Sequence, residues 1–363
     1  MSRVAVKRVA WVALVALLLW LPQYLQAFWL QTGLFAMSAA IGAIGLTLLV
    51  GVTGQLSLAN AFFIAIGAYA YCYLAGDSGA AGGAITAPDG LGWPPWLAAL
   101  GAIVLAGVAG ALFSPIAGRL KGIYLGLASI GLVFIGQHIL QNATSITGGF
   151  NGRDAKPFSL FGFQFSNDHP SNFQVFGVPY GQLERLWYLG LVLVFLTAWY
   201  ARNLLRSRPG RALEGIRDSE VAAAVMGVNV PLYRAAAFTV SSMYAGLAGV
   251  FLALAFSRVV PESFGFLYSI DFLVMIVIGG LGSVRGAIVG AVLVSALPQV
   301  LLHYADRLPL VAAPGSGGLQ PDDAARFLYG AAVVAVLIFA SDGLAGLTRR
   351  FGGRHLNLKE RTS

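Results

Sequence analysis

The sequence predicts an all-α, polytopic transmembrane bundle of about 8 to 10 membrane segments, two of them broken by glycine-rich stretches. Hydrophobic residues make up 58% of the chain and charged residues only 10%, whereas soluble domains carry about 25% charged residues. Mean hydropathy is +0.76. Apolar runs of about 20 residues, enough to cross a bilayer, recur along almost the whole chain with short polar breaks, leaving no room for a separate soluble domain. The single cysteine, Cys72, lies in one of these runs, so the chain has neither a disulfide framework nor a cysteine metal cluster, and the residue reads as a small core side chain.

Taken in order, the first candidate segment is Val9 to Leu21, preceded by Arg3, Lys7 and Arg8. Its charge layout resembles a signal peptide, but no small-residue cleavage site precedes Pro22, so a retained first span is expected. Further segments are expected near residues 33–52, 57–76, 96–118, 123–142, 185–204, 235–256, 270–280, 286–303 and 326–346. Residues 1–363 then form one membrane domain, with 206–233 a loop on one face, 145–184 a long loop on the other, and 347–363 a tail.

Placing the start of the chain inside puts 17 of the 23 basic residues in cytoplasmic stretches and ten of the 15 acidic residues outside. The positive-inside rule then favours an even number of spans with both termini cytoplasmic. The net charge of +8 is thereby explained by membrane orientation and lipid headgroups, and no nucleic-acid module interrupts the apolar runs. The outer loop 145–184 opens on the flexible stretch Ile146 to Gly152 and continues with Phe158, Phe161, Phe163 and Phe165. A loop of that length suits either the docking of an external partner or a passive cap over the bundle.

Two stretches are apolar overall but carry glycines and small polar groups. The first holds Gly54, Gln55, Ser57 and Asn60; the second holds Gly279, Gly280, Gly282 and Ser283. Glycine lets backbone leave helical geometry, and unwound backbone at membrane depth survives only where protein or a wet cavity satisfies it. Both stretches are therefore candidates for lining a transport path, with the amides of Gln55 and Asn60 as its hydrogen-bonding groups. For Gly282, Gly286 and Gly290, spaced every four residues, a smooth stripe for close helix packing is the competing reading. The two stretches share a loose pattern of the kind left by internal duplication. Gln137 and Gln141 share a helix face that suits an outer vestibule or an interfacial helix end, and the lone His138 is not a metal site.

Several chemistries lack their residues. No span carries a buried carboxylate or carboxylate pair of the kind proton- or sodium-coupled carriers use; Asp271 comes nearest, at an expected helix start where an acid is ordinary. Of the four lysines, Lys7, Lys121, Lys156 and Lys359, none follows a glycine, so there is no P-loop and the chain does not hydrolyse ATP itself. Protease, hydrolase and redox motifs are missing too, and no cofactor is expected.

Between Arg206 and Tyr233, Asp218 is expected to cap a helix of about two turns, with Glu220 in its first turn and Gly227 just past its end. So short a helix is marginal in water. Val221 with Val225 and Ala222 with Met226 make an apolar side that needs a surface to cover it, unless the loop is a plain interfacial one whose arginines merely obey the charge rule.

The chain resembles a permease subunit of the branched-chain amino-acid ABC importers, the LivM kind. The resemblance spans residues 30 to 345 and is carried by Gly54-Gln55-Leu56-Ser57-Leu58-Ala59-Asn60-Ala61-Phe62 with Ile66-Gly67-Ala68-Tyr69, by Gly210-Arg211-Ala212 and Ile216-Arg217-Asp218-Ser219-Glu220 with Ala222-Ala223 and Met226-Gly227, by Pro261-Glu262-Ser263-Phe264, and by Ile278-Gly279-Gly280-Leu281-Gly282-Ser283 with Gly286. It implies that Arg211, Asp218, Glu220, Ala222, Ala223, Met226 and Gly227 belong to the segment that seats on an ATP-binding subunit. It also implies a bacterial inner-membrane location, a second LivH-like permease subunit, two ATP-binding cassette subunits and an extracytoplasmic substrate-binding protein. The wider permease class has Glu-Ala-Ala where this chain interposes Val221, and Ser341-Asp342-Gly343-Leu344 stands where the family tends to have proline. Alternatives are a urea or short-chain amide permease of the same kind, an ion-coupled carrier acting alone and, behind both, an intramembrane enzyme.

Overall fold

A computed structural model describes residues 3–77, 90–120, 122–160, 163–166, 174–175, 178–179, 181–304, 320–339 and 344. The tail 347–363 and Ser341 to Gly343 lie outside the described residues, as does Phe161 of the long loop. The chain folds as a helical membrane bundle. Helix α1 (Arg3–Trp20) leads into α2 (Ala27–Leu46), which widens into a π-helical turn over Thr47–Val52. Then come α3 (Asn60–Ala75), α4 (Pro95–Arg119), α5 (Ile123–Asn142) and the single turn α6 (Thr144–Thr147). Helix α7 (Gln182–Arg206) is followed by the short α8 (Arg208–Asp218) and α9 (Glu220–Val225), and then by α10 (Val230–Phe256), α11 (Phe266–Gly279), α12 (Val284–His303) and α13 (Pro321–Phe339).

Among the described residues, six helices are long and apolar enough to span a membrane: α2 with its π turn, α4, α5, α7, α10 and α12. Helices α3 and α11 are shorter apolar helices. Every segment expected from the sequence coincides with a helix, although α1, α2, α7, α10, α11 and α13 each begin three to six residues earlier than expected, at Arg3, Ala27, Gln182, Val230, Phe266 and Pro321. Helices α2 and α10 form the centre: 89% and 78% of their most apolar stretch is buried, against 17% for α7. A helix apolar all round and buried all round is a core helix, and the peripheral ones turn their large side chains toward lipid.

Close approach of small residues holds the centre together. A Cβ added to Gly67 of α3 would lie 2.1 Å from the Gly246 carbonyl oxygen of α10, and one on Gly290 of α12 would lie 2.0 Å from the Met275 carbonyl oxygen of α11. In lipid, association rests on such packing because the solvent is as apolar as the side chains. The stripe expected at Gly282, Gly286 and Gly290 is shorter than expected: Gly286 and Gly290 pack α12 on α11, while Gly282 precedes the helix with φ +78. A left-handed residue cannot belong to the helix that Ser283 starts.

At the end of the bundle remote from α8 and α9, the long loop is tied down. Arg153, buried, donates from Nε to the Cys72 carbonyl at 3.1 Å and from Nη1 to the Ile146 carbonyl at 2.7 Å, and stacks over Tyr73. Its two-residue strand Arg153–Asp154 pairs antiparallel with Arg258–Val259. Cys72 is a fully buried core side chain.

Candidate functional site

The first broken stretch begins where α2 loosens. Thr47–Val52 adopts π geometry, a helix form found mostly as single turns at functional sites. Gly54 then takes φ +72, a left-handed conformation that costs a glycine nothing, and the chain runs non-helically to Ala59. Buried backbone there needs partners. Two serines on neighbouring helices supply them: Leu58 N donates to Ser129 Oγ of α5 at 2.8 Å, and Ala61 N to Ser269 Oγ of α11 at 3.0 Å. Ser57 is buried, and its hydroxyl accepts from Ala59 N at 3.3 Å.

The side chains of this stretch are treated differently. Gln55 and Asn60 are only 5% and 4% exposed, yet both side-chain polar atoms of Gln55 and Nδ2 of Asn60 have no hydrogen-bond partner among the described residues. Native structures pair nearly all buried polar groups.

The second break is the turn between α11 and α12. Gly280 has φ +110, its N–H closing α11 on the Ile276 carbonyl at 2.9 Å, and Ser283 caps α12 by accepting from Gly286 N at 3.2 Å. Gly279 faces Gly286 so closely that a Cβ on it would sit 2.1 Å from the Gly286 carbonyl oxygen. The two breaks touch, for a Cβ on Gly51 would lie 2.3 Å from the Gly282 nitrogen.

Arg217, in the last turn of α8, reaches this junction. Its Nη1 donates to the Gly51 carbonyl at 2.6 Å, its Cγ lies 3.5 Å from the Cβ position of Gly54, and its Nη1 lies 4.0 Å from that of Gly282. Sequence reasoning placed Arg217 in a motif but assigned it no partner, because nothing local connects it to a carbonyl 166 residues away.

Helix α8 is amphipathic, burying Gly210, Leu213 and Ile216. Asp218 is the last residue of α8, not a cap: Ser219, in extended conformation, caps α9 and accepts from Ala222 N at 3.3 Å. The hydroxyl one position later reaches the N3 donor, which an aspartate inside the preceding helix cannot. Gly227 has φ +85 just past the helix, and Val228 N closes on the Ala223 carbonyl at 3.0 Å. Arg211 Nη1 donates to the Arg206 carbonyl at 3.1 Å. Glu220 forms an ion pair with Arg234 of α10, whose side chain is 13% exposed. Ala223 is the buried residue of α9, while Val221, Val225 and Met226 are 75%, 84% and 80% exposed and Ala222 is also exposed. Beside them runs a groove of about 620 Å³ between α9, the start of α10 and Gly118 at the end of α4.

Asp271 does not stand at a helix start. Helix α11 begins at Phe266, so the carboxylate lies inside it, accepting from the Tyr329 hydroxyl of α13 at 2.7 Å. The start was misjudged because Ser269, a capping residue type, stands just before Ile270, whereas its hydroxyl accepts from Ala61 N of α3 and caps nothing. Among the described residues, no group of three or more His, Cys, Asp or Glu side chains is placed to hold a metal ion.

A many-helix membrane bundle with two touching helix breaks, linked by an arginine to an uncovered apolar segment, defines a multi-pass membrane protein of the permease class. The chain belongs to the family of branched-chain amino acid transport system permease components, whose family model matches residues 29–337. It is 32% identical over 317 residues to the high-affinity branched-chain amino acid transport system permease protein LivM of Escherichia coli K12, covering 84% of this chain and 67% of that protein. It is 27% identical over 268 residues to the permease protein LivH of the same organism, covering 70% of this chain and 78% of that protein. A shorter match of 119 residues, 31% identical, covers 32% of this chain and 36% of the ribose import permease protein RbsC of that organism. No solved structure matches significantly.

Proposed function

We propose that the chain is one of two membrane subunits of an ATP-driven importer of branched-chain amino acids, forming half of the translocation path. Its partners are a second, LivH-like permease subunit, two ATP-binding cassette subunits on the face that carries α8 and α9, and an extracytoplasmic binding protein on the other face. The chain sits in a bacterial inner membrane with both termini cytoplasmic; Arg202, Arg206, Arg208, Arg211 and Arg285 all lie at the α8–α9 end, as the positive-inside rule asks. Hydrolysis belongs to the partners, and this subunit is a conduit.

The observation that carries the mechanism is the Arg217 bond to Gly51 beside Gly282. An ATP-binding subunit seated on Val221, Val225 and Met226 moves α9 and α8 when it closes, and Arg217 transmits that motion to both breaks at once. The stretch Gly54, Gln55, Ser57 and Asn60 and the turn Gly279, Gly280, Gly282 and Ser283 are then the moving walls of the path. Arg211 and Asp218 flank the lever on α8, while Glu220, Ala222, Ala223, Met226 and Gly227 form its docking end.

The test is uptake of radiolabelled leucine into vesicles holding this chain with its partner subunits. Uptake should require ATP and the ATP-binding subunits. Leucine accumulation by the chain alone under a proton or sodium gradient would overturn the importer reading. That comparison has weight because Asp271, inside the apolar helix α11 and not at its start, removes one ground on which the sequence set aside an ion-coupled carrier.

A further inference from the structure

We infer that a cavity between α2, α11, α12 and α13 binds an aliphatic α-amino acid as its zwitterion, making this subunit itself selective. The cavity, about 200 Å³, lies away from α8 and α9: its α12 walls, Pro298 and Gln299, are near the far end of that helix, and Asp271 is two turns from the Gly280 end of α11. It brings an acid and a base together in a mostly apolar bundle. Asp271 offers a carboxylate, which has about four acceptor sites, to an ammonium, and Arg326 of α13 offers a fork of donors suited to a carboxylate. Phe35, Met275 and Val294 supply the apolar wall for a branched side chain.

Two features show polar capacity awaiting an occupant. Tyr268, one of the lining residues, has a buried hydroxyl with no hydrogen-bond partner among the described residues, a costly state unless something completes it. Pro298 has no N–H to donate, so the carbonyl of Val294, a lining residue one turn back, lacks its ordinary helical donor. That oxygen is a second acceptor for an ammonium. A tether between α11 and α13 requires only Asp271 and Tyr329, with Arg326 held beside them by its ion pair to Asp323 at 3.7 Å, and it leaves the orphan hydroxyl and the freed carbonyl without a purpose.

The opposite faces of α11 connect this cavity to the path. Tyr268, Asp271 and Met275 line the cavity, whereas Ser269 holds the backbone of the first break through Ala61 N. Occupancy can therefore bias the helix against which the break is braced.

The inference rests on the transport reading for its choice of amino acid, but its test does not use ATP. Equilibrium binding of radiolabelled L-leucine is measured on the full chain in lipid nanodiscs, with leucinamide and 4-methylpentanoate as competitors lacking the carboxylate and the ammonium. Each analogue should compete about tenfold or more less well than leucine, since each forfeits a charge-assisted hydrogen bond. Asp271→Asn should weaken leucine by about tenfold and abolish the preference over 4-methylpentanoate, and Arg326→Gln should do the same with respect to leucinamide. Absence of saturable leucine binding by the unaltered chain, or analogues that compete as well as leucine, would overturn the inference whether or not the variants fold. Wild-type leucine affinity in both variants would overturn it too. Leucine binding with these preferences in a chain that fails ATP-driven uptake would leave the site standing and the importer reading fallen.

Discussion

Arg217 Nη1 lies 2.6 Å from the carbonyl oxygen of Gly51, joining the last turn of α8 to the π turn that ends α2. A carbonyl in a π turn bonds less regularly within its own helix, and a guanidinium takes it up. Removing the guanidinium should cut the lever without cutting the docking surface. In Arg217→Ala, leucine uptake by the assembled transporter should fall about tenfold or more, while the ATP-binding subunits still copurify and still hydrolyse ATP. Uptake at the unaltered rate would remove Arg217 from the mechanism.

Gly51 and Gly282 meet backbone to backbone, so any side chain must push the two breaks apart. Gly51→Ala places its Cβ 2.3 Å from the Gly282 nitrogen, and overpacking of this kind costs roughly 1–3 kcal/mol. Its unfolding midpoint in detergent should drop. Gly131→Ala in α5, where a Cβ meets nothing within 4 Å, should instead gain up to about 1 kcal/mol from helix propensity. Equal midpoints for the two variants would contradict the contact.

Glu220 and Arg234 pair across the base of α9. Glu220→Gln leaves a mostly buried guanidinium without its counter-charge and should cost about 1–2 kcal/mol, the lower part of the buried-pair range because Glu220 is partly exposed. Capture of the chain by immobilised ATP-binding subunits should weaken with it, and the exchanged pair Glu220→Arg with Arg234→Glu should recover part of the loss. No recovery would mean that Glu220 acts by direct contact with the partner.

Gln55 and Asn60 separate a path from a scaffold. The unpartnered Gln55 amide and Asn60 Nδ2 are buried at a cost to the resting fold, so Gln55→Leu and Asn60→Leu should leave the unfolding midpoint unchanged or higher while leucine uptake falls several-fold. A lowered midpoint with uptake per folded molecule unchanged would make these amides structural.

Much of this architecture was legible because it depends on local features. Lengths of apolar runs announce the helices, and the glycines at 54, 280 and 282 announce the breaks by freeing the backbone for φ values of +72, +110 and +78. Gly227 marks the end of α9 for the same reason, and Val221, Val225 and Met226 show by spacing that the segment has an apolar side. Asp218 was misread as a cap because capping is decided by backbone conformation, and Ser219 is the residue that adopts the extended form.

By itself the sequence determined that the chain spans a membrane as helices, where two of them break, and which segment is left with an apolar side to cover; each follows from the chemistry of neighbouring residues. Only the tertiary structure decided that Arg217 holds Gly51, that Ser129 and Ser269 satisfy the broken backbone, and that Asp271 and Arg326 share a cavity. These partners lie far apart along the chain, and a hydrogen bond or a cavity wall between distant helices is set by how the helices pack, which leaves no periodicity in the sequence to read.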